Sequence, residues 1–340
     1  MNINILGNRY FNLEDAWSSK FYFIITACDT LGHNVFVDEK ITVDSVSSTF
    51  YVRGLHDNPD VSIFNHTHPI ALKEEGVDIK GVPLFWKPSG PTSDYFSIDP
   101  LGYACNTSIT YEKPSFEGTP TDDFFNTEVV NIKENKLSKW KGIPWYEGEL
   151  HKVQFTPIPK DHVLVIGQMP GDETVNKFSF GNHWEKLKSI VYHLITHGSD
   201  PIVVKLHPYL KERSNEVLWK SYYDTILSWE AAGVTVVYDF TSVHTILEKT
   251  KVAIIENTTT GLECLVYDVP MICYGYPEYH WVSYNLKHLV ELTSVINNIE
   301  SWWSKTASRE WLTWYCTEYM CRDYKSTLKR LEELFNAIRS

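Results

Sequence analysis

Five short aliphatic runs, each followed by a helix-like segment or a turn, dominate the second half of this chain: "HVLVIGQ", "PIVVKLHP", "VTVVYD", "VAIIEN" and "PMICYG". Strands apolar on both faces belong to parallel sheets, because crossover connections lay helices over each face. The segments between them, "HWEKLKSIVYHLITHG", "NEVLWKSYYDTILSWEAAG", "SVHTILEKT" and "TTGLECLVYD", supply those crossovers. A doubly wound α/β sheet is therefore predicted here, with ligands outside the carboxyl ends of its strands.

The first half alternates in the same way, but less regularly. "NINIL", "NVFVD", "VSIFNHTHP" and "GVPLFWKP" read as strands, and "LEDAWSSKFYFIITACDTLGH" as a helix. The stretch 88–125 is rich in Pro, Gly, Ser, Thr and Asp and is predicted to be irregular and to face a cleft. Residues 126–150 pass through a short helix into a connector, and 296–336 read as helical and aromatic. A length of 340 residues suits two domains of roughly 100–200 residues each. The predicted class is α/β of GT-B type: two Rossmann-like domains with a C-terminal helical tail. The expected divisions are 1–150 for an acceptor-side domain, 151–295 for a nucleotide-sugar-binding domain, and 296–340 for helices packing across both.

A net charge of −12 argues against a duplex-DNA binder, since Lys and Arg on phosphates supply most nonspecific affinity. Six cysteines lie scattered without zinc-type pairing, and those of "YCTEYMC" sit on a helical pattern as structural thiols. No basic leader precedes an apolar core, and no apolar run reaches about 18 residues. A cytoplasmic protein without a transmembrane segment is expected. Of the 12 Trp, 20 Tyr and 16 Phe, most are expected in the core and some along a ligand cleft. Trp302, Trp303, Trp311 and Trp314 near basic residues suit either a peripheral contact with the inner membrane or packing across the domains.

Three strand ends carry polar residues where a buried strand has no structural use for them. In "VLVIGQMPGDETV" the run ends in Gln168 and then Asp172, which either caps the next helix or faces an anomeric carbon as nucleophile. In "VVKLHPYL", Lys205 and His207 alternate on an apolar strand stopped by Pro208, a pattern suited to phosphate or to a backbone-bonded histidine. In "AIIENTTTGLECL", Asn257, Thr258, Thr259 and Thr260 precede Gly261 and a helix, serving phosphate or ordinary capping. Glu263 follows in the first turns, within reach of ribose hydroxyls. Upstream, "FNHTHP" places His66 and His68 at a strand end; with no third ligand evident they read as cleft-edge, acceptor-side histidines, and no metal site is expected.

Taken in this order, the motifs resemble the bacterial capsule-polysaccharide biosynthesis family that includes the retaining β-Kdo transferases, Kdo being 3-deoxy-manno-octulosonic acid. The matching positions are Gln168 with Asp172, Lys205-x-His207-Pro208, and Thr258–Thr260 with Gly261, Glu263 and "YDVPMICYG". "SDYFSIDPLGYACNTS" and "KLSKW" are similar to further family segments, so that the resemblance covers roughly residues 92–285. One element departs: where the family carries a Glu-Asp-Gly-Phe-type motif, this chain has "FWKPSGPTSDYF", with Asp94 as the nearest acid. No general acid/base is assigned by the resemblance.

The resemblance implies a CMP-activated sugar, Kdo or a related 2-keto acid, transferred to a glycan or glycolipid acceptor. Asp172 would form a glycosyl-enzyme, His207 would assist departure of CMP, and Gln168, Lys205, Pro208, Asn257, Thr258–Thr260 and Glu263 would hold the donor. No cofactor beyond the nucleotide-sugar substrate is implied. Two other readings share the fold: a UDP-sugar transferase acting on another acceptor such as modified phage DNA, which the acidic balance disfavours, and a non-catalytic binding subunit.

Overall fold

The computed structural model describes residues 1–7, 14–41, 51–67, 69–139, 156–179 and 181–340. They form two compact units, Met1–Glu112 with Trp314–Ser340, and Lys113–Thr313. The expected divisions stood at 150/151 and 295/296. The compact units divide at 112/113 and 313/314, and the chain's last helix, Tyr324–Arg339, lies in the first unit.

The first unit holds a six-stranded sheet in the order β3-β2-β1-β4-β5-β6. Its strands are β1 (Asn2–Leu6), β2 (Asn34–Val37), β3 (Val52–Arg53), β4 (Val61–Asn65), β5 (Val82–Pro88) and β6 (Phe96–Asp99). All neighbours pair in parallel except β5 and β6. Helices Glu14–Thr30 and Tyr324–Arg339 complete a core in which Ile5, Ile24, Ile63, Trp86, Leu331 and Phe335 are buried. Phe21 meets Trp86 edge-on at 4.8 Å between ring centroids.

The stretch expected to be irregular contains β6. This strand is only four residues long, and the surrounding Gly and Pro mask its signal. Its Asp99 is fully buried and accepts hydrogen bonds from the N–H groups of Leu101 and Ser108 and from the Tyr319 hydroxyl. Phe96 also exchanges backbone hydrogen bonds with Cys321, which ties the returning tail to this edge.

The second unit's sheet is parallel throughout, in the order β12-β11-β10-β7-β8-β9. The strands are β7 (His162–Ile166), β8 (Ile202–Lys205), β9 (Thr235–Val237), β10 (Thr250–Ile255), β11 (Met271–Cys273) and β12 (Tyr284–Asn285). The two long crossover helices each start at a capping asparagine. Asn182 accepts from the N–H groups of Trp184 and Glu185 at the head of helix His183–His197, and Asn215 from Leu218 at the head of Glu216–Ala231. After β9 the chain returns to pair β10 with β7, so the strand order reverses between β7 and β10. Crevices of this kind, outside the carboxyl strand ends, are where doubly wound folds bind ligands.

The aromatic tail packs inward. Trp311 is fully buried and lies near Tyr279, Trp302 donates to the Val295 carbonyl at 3.1 Å, and Trp314 stacks on Tyr319. All six cysteines are buried, and none forms a disulfide. Among the described residues, no helix is long and apolar enough to cross a membrane.

Candidate functional site

The carboxyl ends of β7, β8 and β10 bring most of the sequence-predicted residues of the second unit together. Gln168, just past β7, spans the reversal point: its Oε1 accepts the Asn257 N–H at 2.8 Å. Asn257 is buried and connects three loops, donating from Nδ2 to the Thr174 carbonyl at 3.5 Å and accepting the Tyr276 N–H on Oδ1 at 3.1 Å. Gln168 and Asn257 thus hold the rim of the site in shape.

Beneath them lies a buried group that the sequence reading passed over. Glu256, fully buried at the end of β10, is held by His183 through Nδ1 and by the Lys186 ammonium. His183 Nε2 accepts the Gln168 N–H at 3.0 Å, so the ring proton resides on Nδ1 and is given to the Glu256 carboxylate. Burial alone would push the Glu256 carboxyl up, but the hydrogen bonds from His183 and Lys186 outweigh it and hold the group below its ordinary range. The signal was present in "VAIIEN": a Glu closing an otherwise aliphatic strand must be paired, or the strand could not be buried.

Asp172 does cap a helix. Its Oδ1 accepts from the N–H of Thr174 at 2.8 Å and from the Thr174 hydroxyl, opening helix Glu173–Phe178, and the residue is exposed. Its charge also reaches His207, since the Asp172 carboxylate works to raise the pKa of that imidazole. The cap and the approach to His207 coexist.

His207 lies beyond β8, partly buried, and its Nδ1 accepts the Tyr209 N–H at 3.2 Å. The neutral ring therefore carries its proton on Nε2. Burial first, and then the charges of Lys205 and Arg213, press its pKa down to about 4, with Asp172 opposing. At neutral pH His207 is an uncharged donor in a positive local field. Pro208, which follows, is partly buried, and the strand has already ended at Lys205, so His207 and Pro208 lie in the loop after it rather than on the strand. Lys205 gives two of its three N–H bonds to the carbonyls of Leu206 and Asp239, at 3.1 and 2.7 Å. Burial lowers its pKa to about 8, against the pull of Asp239. It contributes charge from below rather than an extended side-chain arm. Arg213 and Tyr209, placed together with the guanidinium 5.3 Å from the ring centroid, were not singled out from sequence.

The threonines lie at the head of helix Thr260–Val266. Thr258 Oγ1 accepts the Thr260 N–H at 3.3 Å, and Tyr279 donates its hydroxyl proton to the Thr258 carbonyl. Thr259 stands at the N-cap of helix Thr260–Val266 without a side-chain cap bond. Gly261 is required by close approach: a Cβ there would collide with the Tyr279 ring. Gly275 is in the same position against the Asn257 side chain. Glu263 is partly buried, and desolvation raises its pKa to about 8, against the opposing effects of Lys139 and the Thr260 hydrogen bond. At neutral pH it is a neutral carboxyl, able to donate as well as accept.

The acceptor-side candidates lie in the first unit. His66 follows β4 with φ of +43°, a left-handed backbone uncommon for histidine, and its ring meets Tyr103 edge-on at 5.8 Å. Asp94 occupies an exposed turn between β5 and β6, where its N–H reaches the Thr92 hydroxyl at 3.4 Å. His68 lies outside the described residues. Among the described residues no cluster of three or more His, Cys, Asp or Glu could hold a metal ion.

Comparison with known proteins bears on both fold and family. No curated protein sequence matches the chain. The KpsC β-Kdo 2,4 transferase structure from Thermosulfurimonas dismutans superposes with a TM-score of 0.53 at 14% identity, covering 100% of this chain and 98% of that one. The β-Kdo 2,7 transferase structure of KpsC from the same organism gives 0.48 at 11% identity, covering 98% of this chain and 100% of that one. The first of these likenesses shows the fold, two Rossmann-like α/β units of GT-B type with a helical C-terminus. Residues 136–284, which carry the Gln168, Lys205-x-His207-Pro208 and threonine–Gly261 motifs, match the family model described as capsule polysaccharide biosynthesis protein.

Proposed function

We propose that the protein is a glycosyltransferase that moves a 2-keto sugar acid, Kdo or a relative, from a CMP-activated donor to a glycan acceptor with retention. The observation that carries this reading is the state of His207: a neutral imidazole with its proton on Nε2, pressed by Lys205 and Arg213, with the Asp172 carboxylate within electrostatic reach. A local positive field in a chain of net charge −12 is suited to an anion. A donor phosphate placed there would relieve the repulsion among the three cationic or potentially cationic groups.

As the glycosyl–phosphate bond lengthens, negative charge grows on the departing phosphate. His207 Nε2–H, already oriented, stabilises that charge more than it stabilises the ground state. Asp172 then forms a bond to the anomeric carbon while the electron pair of the breaking C–O bond leaves with CMP. In the second displacement the acceptor hydroxyl attacks that carbon, the Asp172 carboxylate leaves, and the acceptor's proton passes to solvent or a nearby base. The hydrogen bonds from Thr174 fix one oxygen of Asp172 and so aim the other. The neutral carboxyl of Glu263 suits a ribose diol, since it can give one hydrogen bond and accept another. The activity belongs in a reducing cytoplasm, to which six buried thiols outside any disulfide are suited.

The test is a titration followed by mass analysis. Binding of a CMP-activated 2-keto sugar acid should raise the His207 pKa above about 4 by at least one unit, followed by NMR of the ring. Without acceptor, a glycosyl adduct should form on wild-type protein and be absent from Asp172→Asn. A donor that binds without moving the His207 titration would overturn the placement, and an adduct on Asp172→Asn would overturn the nucleophile.

A further inference from the structure

Glu256 and Asn257 follow directly on β10, and between them they fasten both ends of the loop that carries Asp172. At the start of the loop Gln168 is held twice. Its N–H goes to His183 Nε2 at 3.0 Å, with Glu256 behind the ring, and its Oε1 takes the Asn257 N–H at 2.8 Å. At the far end, Asn257 Nδ2 donates to the Thr174 carbonyl at 3.5 Å, and the Thr174 N–H is the group that Asp172 caps at 2.8 Å. Only Met169, Pro170 and Gly171 separate Gln168 from Asp172, and the Asp172 N–H closes that turn on the Met169 carbonyl at 2.9 Å. A shift of the Gln168 backbone is therefore passed to Asp172 with little slack.

The link that can fail is His183. A neutral imidazole has one donor and one acceptor nitrogen, and only the tautomer with its proton on Nδ1 leaves Nε2 to accept the Gln168 N–H. Glu256 selects that tautomer. Its carboxylate turns one oxygen to His183 Nδ1 and the other to the Lys186 ammonium, and both oxygens accept. Glu256 is fully buried and His183 is 3% exposed, so bulk water does not stand in for either partner.

We propose that Glu256 is a positioning residue for Asp172: by fixing the His183 tautomer it holds the Gln168 backbone, and through the turn after Gln168 it sets where the Asp172 carboxylate stands. This rests on the reading of Asp172 as the nucleophile, but the clamp is measured without any donor.

Glu256→Gln separates positioning from packing, because an amide accepts on one atom only. The Lys186 ammonium takes the Gln oxygen, the NH2 group then faces His183 Nδ1, and the ring proton moves to Nε2, against the Gln168 N–H. Imidazole 15N shifts should report Nδ1–H in wild type and Nε2–H in Glu256→Gln. Exchange of the Gln168 amide proton should quicken by about tenfold or more as its bond is lost. Adding Lys186→Met to Glu256→Gln frees the oxygen for His183 and should restore both the tautomer and the protection. Lys186→Met alone should keep the Nδ1–H tautomer while lowering the melting temperature. The place of Asp172 is read from His207, whose pKa its charge raises: Glu256→Gln should lower that pKa towards its value in Asp172→Asn. With a CMP-activated 2-keto sugar acid, adduct formation in Glu256→Gln should slow by about 10–100-fold while donor affinity stays within about threefold, the pattern of a misplaced reacting group. A wild-type tautomer in Glu256→Gln, or an unchanged His207 titration in that variant, would overturn the proposal. Failure of the wild type to form an adduct would remove the nucleophile reading instead, with the tautomer and the His207 titration still deciding whether Glu256 places Asp172.

Discussion

The two sheets end differently. At the β7–β10 reversal of the second unit, Glu256, His183, Gln168 and Asn257 form a continuous set of hydrogen bonds, each partner named. In the first unit, Asn65 at the end of β4 and Ser89 just past β5 are buried without partners, and Lys20 makes no bond among the described residues. The first arrangement is organised before any ligand arrives, so little reorganisation is needed as charge develops. The unpaired groups of the first unit are held at some expense in stability.

The largest expected effect would break the catalytic side of this contrast. Asp172→Asn should reduce transfer by at least ~10³-fold, the order expected when a nucleophile or its equivalent is removed. Asn is as good an N-cap as Asp, so helix Glu173–Phe178 should persist and donor affinity should stay within about threefold, measured by heat of binding. Turnover near wild type would return Asp172 to a purely capping role.

Next in size is the buried support. Glu256→Ala leaves the Lys186 ammonium and the His183 imidazole facing a cavity, and removing one partner of a buried pair costs ~3–5 kcal/mol. Thermal denaturation should show a loss of that order, whereas Lys20→Met in the first unit should show none or a gain. Equal losses at the two sites would erase the distinction between a satisfied and an unsatisfied edge. Gly261→Ala tests the packing next to the threonines: a methyl that meets the Tyr279 ring should cost ~1–3 kcal/mol by overpacking. Tyr279→Ala in the same chain should recover part of that loss.

Reading from sequence succeeded where one residue's chemistry conflicts with its surroundings and failed where the partner is remote. The parallel second sheet was legible because its strands are aliphatic runs and its two long crossover helices begin with caps, Asn182 and Asn215. Strand β6 was not, because four residues between a Gly/Pro-rich turn and Pro100 carry too little pattern, and its pairing with β5 and Cys321 is decided by tertiary contact. Lys205, His207 and Asp172 stood out as polar breaks in aliphatic runs. Glu256 has the same signature, but its partners lie 70 and 73 residues away in sequence, and no local spacing connects them. Lys20 reads as an ordinary helix-surface lysine until the fold buries it.

The smallest effect concerns pH, and its sign distinguishes charge from contact. Lys205 and Glu263 both titrate near 8 in the free protein, one losing a positive charge and the other gaining a negative one as pH rises. A bound phosphodiester stabilises the protonated form of each and so raises both pKa values. Linkage then requires donor affinity to be flat well below pH 8, to fall as pH climbs from the free values towards the raised ones, and to level off above them. A one-unit rise in a single group corresponds to about 1.4 kcal/mol, so the loss between pH 7.5 and 9.5 should be about tenfold if one group responds, and steeper if both do. Lys205→Met should flatten the part of the slope that comes from the lysine while lowering affinity at every pH. If the slope of the wild type is unchanged in Lys205→Met, the ammonium beneath His207 serves the strand end alone, and the donor's charge must be met by Arg213 and the rim.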